Sequence, residues 1–295
     1  MSEKFRIKEI QAKSIIGTTK VPNADYVINP YTGCQFGCMY CFASFMGRFV
    51  GENNKDWGDY VYVKANAAEL IKKDILRLMK KDPHPRIVIS TVTDPYQGVE
   101  KKYKLTSKIL ETFASHNYQG RVGILTKSPM VLKDLVSLMR IPNAEVGITI
   151  TTSDDKLSRF LEVRAPSATT RLKTLKTLND AGIKTYVFVG PFLPHMKYKP
   201  ELIDKLFSEI KAAGTSTVKL EYLNLPPYVK TRMKDVIMEE STEIQEIYKD
   251  SQSKNYREEL EPIIREYLKK HDLKMYYNEV VHHVGKQKLI EIQQL

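Results

Sequence analysis

Cysteine is scarce in this chain. Three cysteines occur among 295 residues, and Cys34, Cys38 and Cys41 all fall within eight positions. Their odd number and tight spacing argue against a disulfide framework. No apolar run approaches the roughly 20 residues that a membrane-spanning helix needs. The first 20 residues are charged and have no apolar block of the signal-peptide kind. We therefore expect a cytoplasmic protein that does not cross a membrane.

Charge of one sign dominates, but it is not concentrated. The formal net charge is +11, which can reflect a polyanionic partner such as nucleic acid. The lysines, however, are spread along the chain, and local concentrations such as 101–104 (KKYK) are short. Net charge by itself is therefore weak support for a nucleic-acid substrate.

Apolar runs and helical periodicities alternate from residue 26 onward. Strands are expected at 26–29, 86–91, 121–126, 145–151, 185–189 and 217–222. Helices are expected after a cap at Asn66 and at 105–116, 130–140, 167–181 and 201–213. Alternation at this spacing implies right-handed crossovers and a parallel sheet. About six such units predict an α/β fold, a partial (β/α)6 TIM-like barrel.

The alternation stops at Pro226-Pro227. We expect residues 1–24 to be an irregular lead-in, 25–225 to be the partial barrel, and 226–295 to be an α-rich extension packed on it. The elements expected in the extension are helices around 228–250 and 254–270 and a strand at 274–277. In barrels of this kind the chemistry lies at the carboxyl ends of the strands, and the cysteines follow the first of them.

Three thiolates on one short loop can hold three irons of a cubane, because iron–sulfur clusters prefer cysteines from short runs. No fourth cysteine remains for the last iron, and an open metal position is where a substrate or cofactor can bind. A structural zinc site would need four ligands. His84, His116 or His195 could supply the fourth, although none stands in a knuckle-like pattern. Three inert buried thiols are the remaining alternative, which the clustering disfavours.

The C-x3-C-x2-C run resembles the cluster motif of the radical S-adenosylmethionine (SAM) superfamily, and Tyr40 occupies its usual aromatic position. The resemblance implies a 4Fe-4S cluster on Cys34, Cys38 and Cys41, with SAM on the fourth iron and Tyr40 beside the adenine. It also implies reductive cleavage of SAM to a 5′-deoxyadenosyl radical that abstracts a hydrogen atom. Such an enzyme needs an electron donor such as flavodoxin or ferredoxin.

Further sequence blocks are similar to the spore photoproduct lyase-like branch of that superfamily. They are 29–33 (NPYTG), 48–49 (RF), 57–58 (WG), 93–97 (TDPYQ) and 125–129 (LTKSP). Their order matches the branch, and a looser likeness continues to about residue 224. The resemblance implies that Thr93 and Asp94 hold the methionine end of SAM, with Asp94 accepting from its ammonium group. A turn aspartate before proline is an equally good interpretation of Asp94.

The remaining cofactor-binding candidates also come from the resemblance. Lys127, with Ser128 beside it, would pair with the SAM carboxylate. Ser153 ends another strand and would bind ribose or carboxylate, or would N-cap the next segment, the interpretation we prefer.

Three charged residues, Glu162, Arg164 and Arg171, lie in a block that resembles the family's Glu-Pro-x-x-Pro segment, with Val163 where proline is usual. A charged trio near the barrel mouth suggests a buried ion pair around the cofactor. A surface salt bridge is the alternative.

The substrate is the least constrained expectation. Spore photoproduct lyases repair a thymine dimer in DNA and use an additional cysteine as hydrogen donor, and this chain has no fourth cysteine. The segment 43–49 (ASFMGRF) resembles peptide spliceases, which excise a tyrosine-derived unit from a ribosomally made precursor with a separate leader-binding partner. We therefore favour a precursor peptide. DNA is the alternative, and a non-enzymatic iron–sulfur or zinc protein is the third hypothesis.

Overall fold

The computed structural model describes residues 5–82 and 84–282, apart from the side chains of residues 235 and 236. Within these residues the strands form one sheet of eight and one of three. The strands are β1 Arg6–Ile10, β2 Ile16–Thr18, β3 Tyr26–Ile28, β4 Tyr31–Thr32, β5 Tyr60–Lys64, β6 Ile87–Ile89, β7 Val122–Thr126, β8 Ala144–Thr149, β9 Lys184–Phe192, β10 Thr217–Tyr222 and β11 Lys274–Met275.

The larger sheet has the order β11-β10-β9-β8-β7-β6-β3-β2. All neighbours from β3 to β11 are parallel, and β2 is an antiparallel edge strand. Ile28, Ile89, Ile124 and Val146 lie side by side in register and are completely buried. Apolar β-branched strands covered on both faces are typical of parallel sheets flanked by helices. The predicted partial barrel is confirmed.

Helices connect the parallel strands and cover the sheet. They are α1 Ala67–Lys81, α2 Glu100–Tyr103, α3 Leu105–Ser115, α4 Leu135–Met139, α5 Asp155–Leu161, α6 Ala168–Asp180, α7 Pro200–Ala212, α8 Pro227–Met238, α9 Thr242–Asp250 and α10 Lys254–Lys270. Short 3₁₀ segments lie at Phe42–Phe49, Asn54–Asp56, Pro129–Asp134 and Pro194–Lys197. Among the helices so described, none is long and apolar enough to cross a membrane.

The lead-in is more ordered than its sequence predicts. Instead of irregular backbone, residues 5–24 contain β1 and β2, and β1 pairs in parallel with β5 in the smaller sheet. Asn66 does not cap α1 with its side chain. It instead accepts from the Ala12 N–H and donates to the Ala12 carbonyl, both at 2.9 Å. The amide of Asn66 thus fastens the lead-in to the start of α1.

Other element boundaries also differ from the expectations. The helix expected at 130–140 is a 3₁₀ segment followed by α4, and α5 was not expected. The helix expected around 228–250 is divided, because the Ser241 hydroxyl accepts from the Ile244 N–H and starts α9 there. The strand expected at 274–277 is the two-residue β11. Residues 283–295 of the expected extension lie outside the described residues.

Candidate active site

The three cysteines lie on a loop between β4 and the 3₁₀ segment Phe42–Phe49. Gly33 precedes it with φ +88°, and a Cβ there would stand 2.5 Å from the Tyr60 carbonyl oxygen. Gly37 inside it has φ +61°, with the Gly58 Cα 3.3 Å from the position of a Cβ. Positive φ combined with close backbone contact admits glycine far more readily than any other residue. These two glycines therefore fix the shape of the cysteine loop.

Burial disfavours the thiolate form of the three cysteines on this loop. Cys34 and Cys38 are buried and Cys41 is partly buried. Burial raises the pKa of all three thiols, that of Cys38 to about 12. Lys127 opposes the rise at both Cys38 and Cys41. Coordination to a metal deprotonates a thiol outright, so the iron ions of a cluster would supply the positive charge that this environment lacks.

The segment after β6 supports the cysteine loop. The Thr93 hydroxyl donates to the Gly33 carbonyl at 2.6 Å. The Gln97 side chain accepts from the Gln35 N–H at 2.8 Å, and the Gln35 side chain accepts from the Val99 N–H at 2.6 Å. The Thr93 hydroxyl is thus engaged with the loop backbone. The two glutamines were not singled out from the sequence, because their partners lie more than 60 residues away.

Asp94 joins the carboxyl ends of β6 and β7. Its carboxylate accepts from the Tyr96 N–H at 2.9 Å, the Thr126 hydroxyl at 2.7 Å and the Lys127 N–H at 2.8 Å. Burial raises the pKa of Asp94, although these donors oppose the rise. This set of partners fits the turn role that the sequence left open. Contact with the SAM ammonium group stays a prediction.

A buried polar group lies beside the cysteine loop. The Tyr40 hydroxyl and the Arg171 guanidinium both donate to the carboxylate of Glu162, which is completely buried. Ser158 donates to the same carboxylate at 3.0 Å. The Lys127 ammonium stands 3.7 Å from Glu162 Oε1 and 5.8 Å from the centre of the Tyr40 ring. Tyr40, Lys127 and Glu162, all expected at the cofactor, therefore lie together.

The electrostatics of this group keep Glu162 and Lys127 charged. Burial alone would raise the pKa of Glu162, but Arg171 and Lys127 outweigh it and lower that pKa. Burial alone would lower the pKa of Lys127, but the neighbouring Cys38 and Glu162 side chains outweigh burial and raise that pKa. A protonated ammonium is thus held beside the cysteine loop, as a partner for a bound carboxylate must be.

Two of the other three candidates are engaged elsewhere, and the third is not the helix cap that we expected. The half-exposed Arg164 donates to the Gly58 carbonyl and forms an ion pair with Asp59 at 2.7 Å, so the surface alternative holds for it. The Ser128 hydroxyl accepts from the Met130 N–H at 3.2 Å and caps the segment Pro129–Asp134. The N-cap preferred for Ser153 is wrong by one residue, because Asp154 caps α5. Cofactor contacts of these three stay predictions.

A residue far along the chain also reaches the cysteine loop. Arg232, on α8, donates to the carbonyls of Cys38 and Met39 at 3.1 Å each, and to that of Gly37 at 3.5 Å. Almost 200 residues separate it from the loop, so no local pattern could have indicated it.

The donor set fits a cubane. Among residues 5–82 and 84–282, no three His, Cys, Asp or Glu side chains converge on a single metal ion. A cubane does not need such convergence, because each cysteine binds a different iron. Among the residues that the structure describes, the hydroxyls of Tyr60 and Tyr228 are buried and have no hydrogen-bond partner. Burial raises the pKa of Tyr228 to about 12, with Cys41 adding to the rise. Cysteines with buried donors and cations around them suit an anionic iron–sulfur cluster.

The comparison with protein families agrees with this chemistry. The radical SAM superfamily model matches residues 28–207. The chain belongs to the radical SAM superfamily. Members use a 4Fe-4S cluster and SAM, so these are its cofactors, and such an enzyme requires an electron donor. An uncharacterized protein of Methanocaldococcus jannaschii is 38% identical over 227 residues, which are 76% of this chain and 80% of that protein.

Solved structures confirm the likeness to the spore photoproduct lyase-like branch at the level of fold. A spore photoproduct lyase double mutant with bound SAM and dinucleoside spore photoproduct gives a TM-score of 0.68 at 17% identity, over 94% of this radical SAM chain and 82% of that one. The Streptococcus suis protein SuiB, bound to its precursor peptide SuiA, gives 0.50 at 15% identity, over 85% of this chain and 52% of that one.

Proposed function

We propose that this radical SAM enzyme acts on a ribosomally made precursor peptide, in a splicease-like, lyase-type reaction with a separate leader-binding partner. The cluster and SAM, when bound, supply a 5′-deoxyadenosyl radical for hydrogen abstraction. Cys34, Cys38 and Cys41 hold the cluster, and Lys127 pairs with the SAM carboxylate. The electron is proposed to come from a flavodoxin or ferredoxin.

The observation that carries the peptide proposal is an apolar groove beside the cysteine loop. Its cavity of about 170 Å³ is lined by Leu157, Phe160, Leu161, Met233, Ile237, Ile244 and Tyr248, with His195, Lys199 and Glu240 among them. The groove adjoins the loop, because the Leu161 carbonyl accepts from the Met39 N–H at 2.9 Å. Apolar walls with few polar groups favour an aliphatic or aromatic side chain over a phosphodiester.

DNA is the second candidate, and one contact favours it. The Arg48 guanidinium lies 4.7 Å from the centre of the exposed Phe49 ring and 5.4 Å from that of Phe45. Aromatic rings combined with arginine form platforms on which unpaired bases stack. The net charge of +11 and the fold shared with spore photoproduct lyase support the same candidate.

Anaerobic turnover with deuterated substrates separates the two candidates. The substrates are a precursor peptide encoded next to the gene and an ultraviolet-irradiated oligonucleotide, each with dithionite and SAM. We expect mass spectrometry to find deuterium in 5′-deoxyadenosine, and a shortened product, with the peptide alone. Transfer from the oligonucleotide alone, with binding that weakens as salt rises, would replace the peptide proposal with the DNA one.

A variant in the groove sharpens that test. Phe160 is 44% exposed on a wall of the groove, and Val136 is 72% exposed on α4. We expect Phe160→Ala to raise the KM for the peptide while substrate-free deoxyadenosine formation stays at the parent rate. Val136→Ala is the matched control and should change neither quantity. An unchanged KM in Phe160→Ala would remove the groove from the peptide site.

A further inference from the structure

Helix α8 brings a cation to the backbone side of the cysteine loop. The Arg232 guanidinium donates to the consecutive carbonyls of Gly37, Cys38 and Met39. A guanidinium is a planar fork of five donors, so one side chain can fix the direction of several peptide planes at once. Cys38 lies in the middle of the backbone that Arg232 holds.

The charge of Arg232 is also placed near the cysteine sulfurs. Burial lowers the pKa of the guanidinium, while Cys41 and Cys38 oppose that change. Arginine stays protonated in proteins even when its pKa falls. Arg232 is therefore a permanent positive charge on the cysteine loop. The other cation near the loop, Lys127, is balanced by the Glu162 carboxylate.

We propose that Arg232 is a positioning residue for the iron–sulfur cluster, its fork fixing the cysteine loop and its charge favouring the reduced cluster. Reduction adds one electron to an already anionic assembly. A cation nearby lowers the energy of that added charge, and more so in a low-dielectric interior than in water. Loss of the cation should therefore make the cluster harder to reduce. The C-terminal extension then takes part in the redox chemistry as well as in the packing.

Two variants of the full-length, cluster-loaded protein separate the fork from the charge. Arg232→Met removes both, and Arg232→Lys keeps the charge but loses the fork. Lys230→Met, at an exposed position on the same helix, is the matched control. The measured quantities are the midpoint potential of the cluster, by redox titration followed by electron paramagnetic resonance, and the rate of iron release to a chelator.

We expect the midpoint potential of Arg232→Met to move to a more negative value and its iron to be released severalfold faster. Arg232→Lys should keep the parental potential and still release iron faster than the parent. Lys230→Met should match the parent in both quantities. A purely structural tether would change iron release alone, so a parental potential in Arg232→Met overturns the proposed role of the charge. Parental iron release in both Arg232 variants overturns the role of the fork.

Failure to load a cluster is also informative. If Arg232→Met takes up no cluster, the midpoint potential of Arg232→Lys decides. A parental midpoint potential in that variant supports the proposal, and a displaced one overturns it. If neither variant takes up a cluster, parental circular dichroism and parental Tm in both support a specific requirement for the fork. Loss of the fold in both would reduce Arg232 to a structural residue and overturn the proposal.

Discussion

Glu162 is the residue around which the buried polar group beside the cysteine loop is arranged. Its completely buried carboxylate accepts from Tyr40, Ser158 and Arg171 and faces the Lys127 ammonium. A buried carboxylate needs such partners, because an unpaired charge in the interior is very costly. The same partners fix the Tyr40 ring, and 15% of the Lys127 side chain is exposed.

Removal of the Lys127 ammonium should weaken SAM binding more than cluster assembly. Glu162 keeps Arg171 in Lys127→Ala, so the buried carboxylate stays paired. A charge-assisted hydrogen bond contributes about 1.5–3 kcal/mol, and its loss corresponds to roughly a tenfold to hundredfold rise in Kd. Isothermal titration of the reconstituted variant with SAM measures the change. Lys133→Ala, at an exposed position, is the control, and an unchanged Kd in Lys127→Ala would remove Lys127 from the site.

Glu100 gives the fold a pH dependence of its own. Burial raises the pKa of Glu100 to about 6 from an ordinary value of 4.5, although hydrogen bonds from Tyr31 and Ser107 oppose the rise. Between these values the folded chain holds a proton that the unfolded chain has released. The free energy of unfolding therefore falls as pH rises through this window.

The Glu100→Gln variant removes the titrating carboxyl group and so measures its contribution to stability. We expect the free energy of unfolding of the parent, relative to Glu100→Gln, to fall by about 1 kcal/mol between pH 5 and pH 7. Urea unfolding at a series of pH values measures it. Glu111→Gln, on the exposed face of α3, should run parallel to the parent. If the free energy of unfolding of Glu100→Gln also runs parallel to that of the parent across this pH range, the pKa of Glu100 is not raised.

At the scale of elements, the cysteine loop owes its shape to contact between backbones. Gly33 and Gly51 have similar positive φ values, +88° and +74°, but differ in surroundings. A Cβ at Gly33 would meet the Tyr60 carbonyl at 2.5 Å, whereas one at Gly51 would meet no atom of the described part of the chain within 4 Å. Substitutions at these two glycines therefore distinguish the cost of backbone strain from the cost of steric overlap.

Alanine at these two glycines should have unequal effects. Gly51→Ala carries only the cost of left-handed backbone, about 1–2 kcal/mol. Gly33→Ala adds the overlap with Tyr60, so we expect a larger loss of stability and poor cluster loading. Urea unfolding and iron content per chain measure the two effects. Equal losses of stability, with full iron content in both variants, would contradict the proposed shape constraint.

Local periodicity was sufficient to predict the parallel strands and most helices, because buried strands and amphipathic helices leave repeating patterns. It failed for β1 (RIKEI), which is charged and mostly exposed and contributes little to the core. It failed for α5, which has seven residues and is marked mainly by its cap at Asp154. Short or solvated elements are held by tertiary contacts, which a local pattern does not contain.

The candidate site was predictable only in part for a similar reason. The order of the sequence motifs was sufficient to predict that Tyr40, Lys127 and Glu162 lie near the cofactor. It could not show that Arg164 points toward Gly58 and Asp59, because adjacent residues of a turn diverge. Nor could motif order indicate Arg232, because this residue of α8 contacts the cysteine loop almost 200 positions earlier in the chain.

At the scale of the whole molecule, the fold gathers its chemistry at one end of the parallel sheet. The carboxyl ends of β6 and β7 present Asp94 and Lys127 beside the cysteine loop, as expected for a barrel of this kind. Helix α8 then closes over the loop through Arg232. Met233 and Ile237 of the same helix line the apolar groove.

The cluster should depend on the cysteines, while the fold should not. Because the parallel sheet and its helices form the core, we expect Cys38→Ala to keep the far-UV circular dichroism of the parent. The variant should lose the brown colour and the formation of 5′-deoxyadenosine. A variant that still forms deoxyadenosine at the parent rate would show that Cys38 is not a ligand.

The central claim is that three cysteines hold a 4Fe-4S cluster whose fourth iron is free to bind SAM. Electron paramagnetic resonance of the reduced, anaerobically reconstituted protein, recorded before and after addition of SAM, tests it most directly. We predict a 4Fe-4S signal that changes when SAM is added and that is absent in Cys38→Ala. The absence of a cluster signal in the parent, or a cluster signal that SAM leaves unchanged, would contradict the account.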